Sequence, residues 1–185
     1  MKVHFGGSLP AFKENPESYK KIRQAIIKNQ GIILRDWIKE ESLGKELGLS
    51  DMYERTLKAI KSADAVILEC TSDISSIGQQ MSIAFEENIP VLLLTPKDTN
   101  SNIGSFISRE QMKHLVRKTY SVDTIDQIIK DFFKWAEEND QFARFNLVLE
   151  KKLDQFLKEK AKQNNTSKTE EIRKLIIQDI QTQGR

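Results

Sequence analysis

Two runs, Ala65-Val66-Ile67-Leu68 and Val91-Leu92-Leu93-Leu94, contain no polar side chain. Successive side chains of a strand point to opposite faces, so a strand buried on one face alternates apolar with polar residues. An unbroken apolar run must be covered on both faces, which is the setting of a parallel sheet between two layers of helices. The surrounding sequence repeats the pattern. With these two, which extend over Ala65–Cys70 and Pro90–Thr95, β-rich runs occur at Lys2–Phe5 and Gly31–Leu34, with a weaker one near His114–Tyr120. Helical spacing fills the gaps: Tyr19, Ile22 and Ile26 share a face, as do Leu57 and Ile60. The longest stripe is Ile125, Ile128, Ile129, Phe132, Phe133 and Ala136. Pro96–Asn102 reads as a turn-rich loop. Strand and helix in alternation predict an α/β unit over residues 1–138 with a parallel five-stranded sheet and flanking helices.

Composition narrows the class. The 185 residues include 29 Lys and Arg against 27 Asp and Glu, and apolar residues make up 38%. No stretch approaches the roughly 18 apolar residues of a membrane span. The N-terminus enters a strand pattern without a basic and then apolar leader, so a cytoplasmic location is expected. Cys70 stands alone, which excludes a disulfide framework and a cysteine zinc cage. With two His, a metal site would need carboxylates at spacings that do not occur, so no metal and no cofactor are expected.

In open α/β sheets, ligands bind beyond the carboxyl ends of the strands, beside helix N-termini. Phe5-Gly6-Gly7-Ser8 leaves the first strand with backbone free to approach a ligand. Thr71-Ser72-Asp73-Ile74-Ser75-Ser76-Ile77-Gly78 leaves the third and opens a helix. Gly6, Gly7, Ser8, Ser75, Ser76 and Gly78 are therefore candidate contacts to a phosphate or sugar. The same residues also suit turns and helix caps without any ligand.

The first 138 or so residues resemble the nucleoside 2-deoxyribosyltransferase superfamily, particularly the 2'-deoxynucleoside 5'-phosphate N-hydrolases. Val3-His4-Phe5-Gly6-Gly7-Ser8 is similar to its opening strand and turn, and Ser62-Ala63-Asp64-Ala65-Val66-Ile67-Leu68-Glu69 to its third strand. Thr71 to Gly78, followed by Gln79-Gln80-Met81, lies where that family has a helix start carrying a Glu. The resemblance implies a Rossmann-like or flavodoxin-like layout and chemistry at an N-glycosidic bond. It also implies a catalytic Glu, an assisting Asp and a sugar-positioning Tyr. In this chain those positions hold Gln80, Thr56 and His4.

Departure of a base from its sugar passes through an oxocarbenium-like state that needs a carboxylate against the sugar face, and an amide supplies none. Glu54 is two residues from Thr56, about 200° around a helix, and so faces elsewhere. Asp64 begins its strand at the end away from the site, and Glu69 ends it. His4 is an acid–base candidate or a hydrogen-bonded strand residue. On these grounds the unit is expected to be catalytically silent but still able to bind a nucleotide or nucleoside-like molecule. Gln80 would hold a ribose hydroxyl. Trp37, in the long Arg35–Ser50 connection, would either stack on a base or pack against its own helix.

Residues 141–185 carry ten Lys and Arg against six Asp and Glu. Within 141–182, Arg144-Phe145-Asn146-Leu147-Val148-Leu149 alternates like a short strand, and Leu153, Phe156, Leu157 and Ala161 fall at helix spacing. Asn164-Asn165-Thr166 makes a turn, and Ser167-Lys168-Thr169-Glu170 reads as a capping box before the stripe Ile172, Leu175, Ile176 and Ile180. Some 45 residues cannot bury such faces alone, so the segment calls for a second chain. It resembles the ribbon-helix-helix family of the Arc and methionine repressors. That resemblance implies a homodimer, with a tetramer on DNA as the larger alternative, whose paired strands enter the major groove of double-stranded DNA. Arg144, Asn146 and Val148 would then face base edges, and Ser167 and Lys168 would hold a phosphate. The fold also serves as a dimerisation clasp alone.

Taken together, the expectation is a ligand-responsive transcriptional regulator with a silent, nucleotide-binding-like body. The alternatives are an active N-glycosidase that uses a displaced carboxylate such as Glu69 and dimerises through its tail, and an antitoxin-type repressor.

Overall fold

The computed structural model describes residues 1–42, 49–71, 74–97, 107–139 and 147–183. Two compact units make up the chain, Met1–Phe142 and Ala143–Arg185.

The first unit is built on five parallel strands: β1 (Lys2–Gly6), β2 (Ile32–Ile33), β3 (Ala65–Glu69), β4 (Val91–Pro96) and β5 (Leu115–Tyr120). Its helices are α1 (Leu9–Glu14), α2 (Pro16–Lys28), α3 (Trp37–Ser42), α4 (Leu49–Lys61), α5 (Ile74–Glu86), α6 (Arg109–Met112) and α7 (Ile125–Glu138). The strands lie in the order β2-β1-β3-β4-β5, with Val3 beside Ala65, Val66 beside Val91 and Val91 beside Leu115. This is the doubly wound α/β layout, and the strand order reverses between β1 and β3.

The two apolar runs behave as two-sided burial demands. Ala65 to Leu68 and Val91 to Leu94 are all buried. One face places Val3, Phe5, Ala65, Ile67, Leu92 and Leu94 against Tyr19, Ile22 and Ile26 of α2 and Ile129, Phe132 and Phe133 of α7. The other sets Val66, Leu68, Val91 and Leu93 against Ile60 of α4 and Ile77, Met81, Ala84 and Phe85 of α5. β2 is shorter than the run Gly31–Leu34 suggests. It is an edge strand with β1 as its one neighbour, and Ile32 is 63% exposed. The connection after it is partly helical, because Trp37 opens α3. Most of the Pro96–Asn102 loop lies outside the described residues.

In the second unit, α8 (Lys151–Asn164) and α9 (Lys168–Thr182) form a helical hairpin. Asn165 closes α8 in the left-handed conformation, at φ 51°, a region that asparagine tolerates. Ser167 caps α9, its Oγ accepting from the Glu170 N–H at 3.1 Å. The residue that secures the turn is Glu171, one position beyond the expected box. Its carboxylate accepts from Thr166 Oγ1 at 2.6 Å, Asn164 Nδ2 at 3.0 Å and Lys174 Nζ at 3.0 Å. Those partners hold its pKa down at about 2.

The expected strand differs. Arg144 and Asn146 lie outside the described residues, while Leu147 to Leu149 are in no strand and Val148 is 96% exposed. A strand exists through its ladder, and among the described residues Leu147 to Leu149 are paired with none. Leu157 and Ala161 are buried within the hairpin, but Leu153, Phe156, Leu175, Ile176 and Ile180 remain exposed. Lys168 directs its ammonium to Asp154 Oδ1 at 2.6 Å, an ion pair inside the hairpin.

Candidate functional site

A cavity of about 660 Å³ lies beyond the carboxyl ends of β1 and β2, beside the reversal of strand order. Residues from β1, α1, α3, α4 and α5 line it.

His4 and Gln80 meet in its floor. His4 sits on the α4/α5 face of β1, 2% exposed, and its Nε2–H donates to Gln80 Oε1 at 2.7 Å. Burial, reinforced by the nearby Arg35 guanidinium and opposed by the Gln80 bond, lowers the imidazole pKa to about 4. The ring is therefore neutral at ordinary pH. Its Nδ1 is buried without a hydrogen-bond partner among the described residues. Gly6 makes the pair possible, because a Cβ there would stand 2.2 Å from Gln80 Oε1. Gly7 allows the turn to rest on Tyr19, whose ring carbon would be 2.4 Å from an added Cβ.

Ser8 is 2% exposed and caps α1, its Oγ accepting from the Ala11 N–H at 3.4 Å while its own N–H donates to Tyr19 Oη at 3.3 Å. Gly6, Gly7, Ser8, Ser76, Gln80 and Trp37 all line the cavity. Ser75 and Gly78 do not; Ser75 is exposed, and open space surrounds the position of a Gly78 Cβ. Ser72 and Asp73 lie outside the described residues. Trp37 lines the cavity but is fixed by its packing. Its indole N–H donates to Phe5 O at 2.8 Å, and its ring packs edge-on to Phe12 and Tyr19. It is a wall built from its own fold rather than a free stacking platform.

The displaced-carboxylate candidates separate clearly. Glu54 is exposed on α4. Asp64 accepts from the Lys2 N–H at 2.6 Å, at the far end of the sheet. Glu69 is fully buried and does not line the cavity. It accepts hydrogen bonds from the Tyr19, Thr71 and Tyr120 hydroxyls, the last at 2.9 Å. Burial, and then the Glu69 charge, raises both phenol pKa values, so both hydroxyls keep their protons as donors. This group ties the ends of β3 and β5 to α2, and through Tyr19 it supports the Ser8 turn.

Among the described residues, the carboxylates that line the cavity are Glu40 and Glu41 on α3. Arg35 Nε donates to Glu40 Oε2 at 3.1 Å, and its Nη1 donates to Thr56 Oγ1 at 2.8 Å and Met52 O at 3.1 Å. Arg55 stands 3.8 Å from the other Glu40 oxygen, and Lys13 lies 3.6 Å from Glu41. One guanidinium thus links Thr56 to a neighbouring carboxylate. Position-by-position reading of the sequence missed Arg35, Glu40 and Glu41. The available signal was that Arg35-Asp36-Trp37 follows directly on the second strand run, where the carboxyl-end rule points. Among the described residues, no group of three His, Cys, Asp or Glu side chains is arranged to hold a metal, and no helix is long and apolar enough to cross a membrane.

The fold and cavity define a doubly wound α/β body with its site at the strand-order reversal. The chain is 25% identical over 138 residues to a Nematostella vectensis protein named "Putative 2'-deoxynucleoside 5'-phosphate N-hydrolase 1", covering 71% of this chain and 93% of that protein. The solved CMP N-glycosidase BcmB of Clostridium botulinum is 10% identical, with a TM-score of 0.48 over 77% of this chain and 100% of that one. No family model matches. The similarity to a protein named as a hydrolase overturns the expectation of a DNA-binding transcriptional regulator with a silent body. It favours the alternative of an N-glycosidase with a displaced carboxylate. Glu69, the carboxylate expected to be displaced, is enclosed, whereas Glu40 and Glu41 face the cavity.

Proposed function

We propose that the body binds a nucleoside 5'-phosphate in the 660 Å³ cavity and hydrolyses its N-glycosidic bond. The observation that carries this reading is the pair Glu40 and Glu41, which brings to the cavity from α3 the negative charge that Thr56 and Gln80 lack. The similarity to a protein named as a nucleotide N-hydrolase supports it. In this reaction the bond from C1' to the base nitrogen breaks, and the base leaves with the bonding pair and takes a proton. Water adds its oxygen to C1' and gives up a proton, leaving free base and a sugar 5-phosphate. Glu40, paired with Arg35 and Arg55, opposes the developing positive charge of the sugar. Glu41, facing an exposed lysine, is the freer of the two to accept the proton from water.

The test incubates the full chain with ribo- and deoxyribonucleoside 5'-monophosphates and measures free base by chromatography. Release by the parent should fall by about 100-fold or more in Glu41→Gln and by a smaller factor in Glu40→Gln. Release that survives the double substitution would show that these carboxylates play no part.

The second unit acts in this reading as a clasp between two copies of the chain. Its exposed Leu153, Phe156, Leu175, Ile176 and Ile180 support that role in a unit too small to bury them alone.

A further inference from the structure

Arg35 is built into the fold more firmly than its ion pair with Glu40 requires. Its side chain is 11% exposed although it lies two residues beyond an edge strand. A guanidinium carries five N–H donors in a rigid plane. Three are committed here: Nε to Glu40, and the two on Nη1 to Thr56 Oγ1 and Met52 O. The two on Nη2 have no partner among the described residues. Nη2 is not among the buried polar atoms left without a partner, so this edge of the guanidinium is open to solvent and to an incoming acceptor.

The surroundings favour an anion as that acceptor. Arg35 lines both the 660 Å³ cavity and an adjoining one of about 400 Å³, where Arg55 and Lys58 also stand. The acidic residues there are already engaged. Asp36 is held by both Arg23 Nε and Nη2, and Glu40 is shared between Arg35 and Arg55. Lys13, the other cation of the larger cavity, is 65% exposed and stands 3.6 Å from Glu41. Arg35 is far less exposed, and bonds from two of its nitrogens orient the plane.

We infer that Arg35 is the anion anchor of the cavity, presenting its free Nη2 edge to the oxygens of a phosphate monoester. This rests on the reading of the cavity as a nucleotide site and adds the residue that would select a phosphorylated ligand over the bare nucleoside. The two N–H groups of Nη2 diverge within the guanidinium plane, and because Nε and Nη1 hold that plane they offer an oxyanion a fixed donor direction that a freely rotating ammonium does not. Thr56 acquires a role as well, since its hydroxyl accepts from Nη1 and helps set the angle of the plane.

The experiment compares three ligands on the full chain by calorimetry: a nucleoside 5'-monophosphate, the corresponding nucleoside, and inorganic phosphate. The parent should bind the monophosphate about tenfold or more tightly than the nucleoside, with inorganic phosphate competing. Arg35→Gln, folded by circular dichroism, should bind monophosphate and nucleoside alike, and Arg35→Lys should keep only part of the preference. A folded Arg35→Gln that retains the full preference would overturn the assignment. A second measurement requires no variant to fold well. Protein carrying 15N-arginine is titrated with inorganic phosphate, and a guanidinium resonance should shift and its N–H exchange should slow. A titration that moves none of them would also overturn it. Base release without any phosphate preference would remove this inference and leave the hydrolase reading intact. A phosphate preference without base release would do the reverse.

Discussion

His4 is a strand residue whose neighbours decide its chemistry. The imidazole ordinarily titrates at 6.5, and burial brings it to about 4 in the folded chain. Between those values the unfolded chain binds the proton and the folded one does not, so stability rises with pH across that window. The body should be fully stable above pH 6.5 and lose on the order of 3 kcal/mol as the pH drops through 4. Thermal melts from pH 7 to pH 4 check this, and His4→Gln should flatten the slope; an equal slope in both proteins would assign the loss to other groups. At this scale the sequence was informative about positions and silent about partners. His4 and Gln80 were identifiable from the strand and helix they occupy, but their mutual hydrogen bond depends on the space left by Gly6. Arg35 could not be assigned a role, because its partner Thr56 is 21 positions away and reaches it through the packing of α4.

Elements follow from sequence to the degree that burial is two-sided. β3 and β4 are covered on both faces, and their unbroken apolar runs leave no other solution. β2 lies at the sheet edge and shrinks to two residues, while Leu147 to Leu149, the described part of the strand expected at 144–149, are in no strand. The hairpin of α8 and α9 was legible from its helix spacing and turn, but its fastening at Glu171 was not, since the cap pattern pointed one residue earlier. That carboxylate makes a second pH window. Its pKa is 4.5 in an ordinary setting and about 2 here, so its ionised form favours the folded turn. The contribution is complete above 4.5 and disappears as the pH falls through about 2. Helicity of the hairpin should therefore persist through the window in which His4 weakens the body and decline below it. Circular dichroism along an acid titration, with Glu171→Gln as comparison, should show that decline starting from a lower plateau in the variant. Coincident curves would mean the three hydrogen bonds contribute nothing measurable.

For the whole molecule, sequence reading and structure diverged over where charge resides. Finding Thr56 and Gln80 where the resemblance implies acids, a position-by-position comparison concludes that the body is silent. The folded chain sets Glu40 and Glu41 beside those positions from a helix that aligned motifs do not include. A cavity needs a charge in a place, not at a sequence position, so exchange between neighbouring elements is invisible until the fold is known. The second unit poses the converse case, because its apolar side chains have a place but no cover. Leu153 is 50% exposed, Phe156 55% and Ile176 54%, and a hairpin of this length gains too little from Leu157 and Ala161 to stand alone. If two copies cover these faces mutually, substituting one charge per face should separate them. Sedimentation equilibrium of the parent should give a dimer, and Phe156→Asp with Ile176→Asp should give a monomer with reduced helicity in the tail. The body of that monomer should still melt cooperatively, because its core is complete within residues 1–138. A parent that sediments as a monomer would refute the clasp while leaving the cavity chemistry untouched.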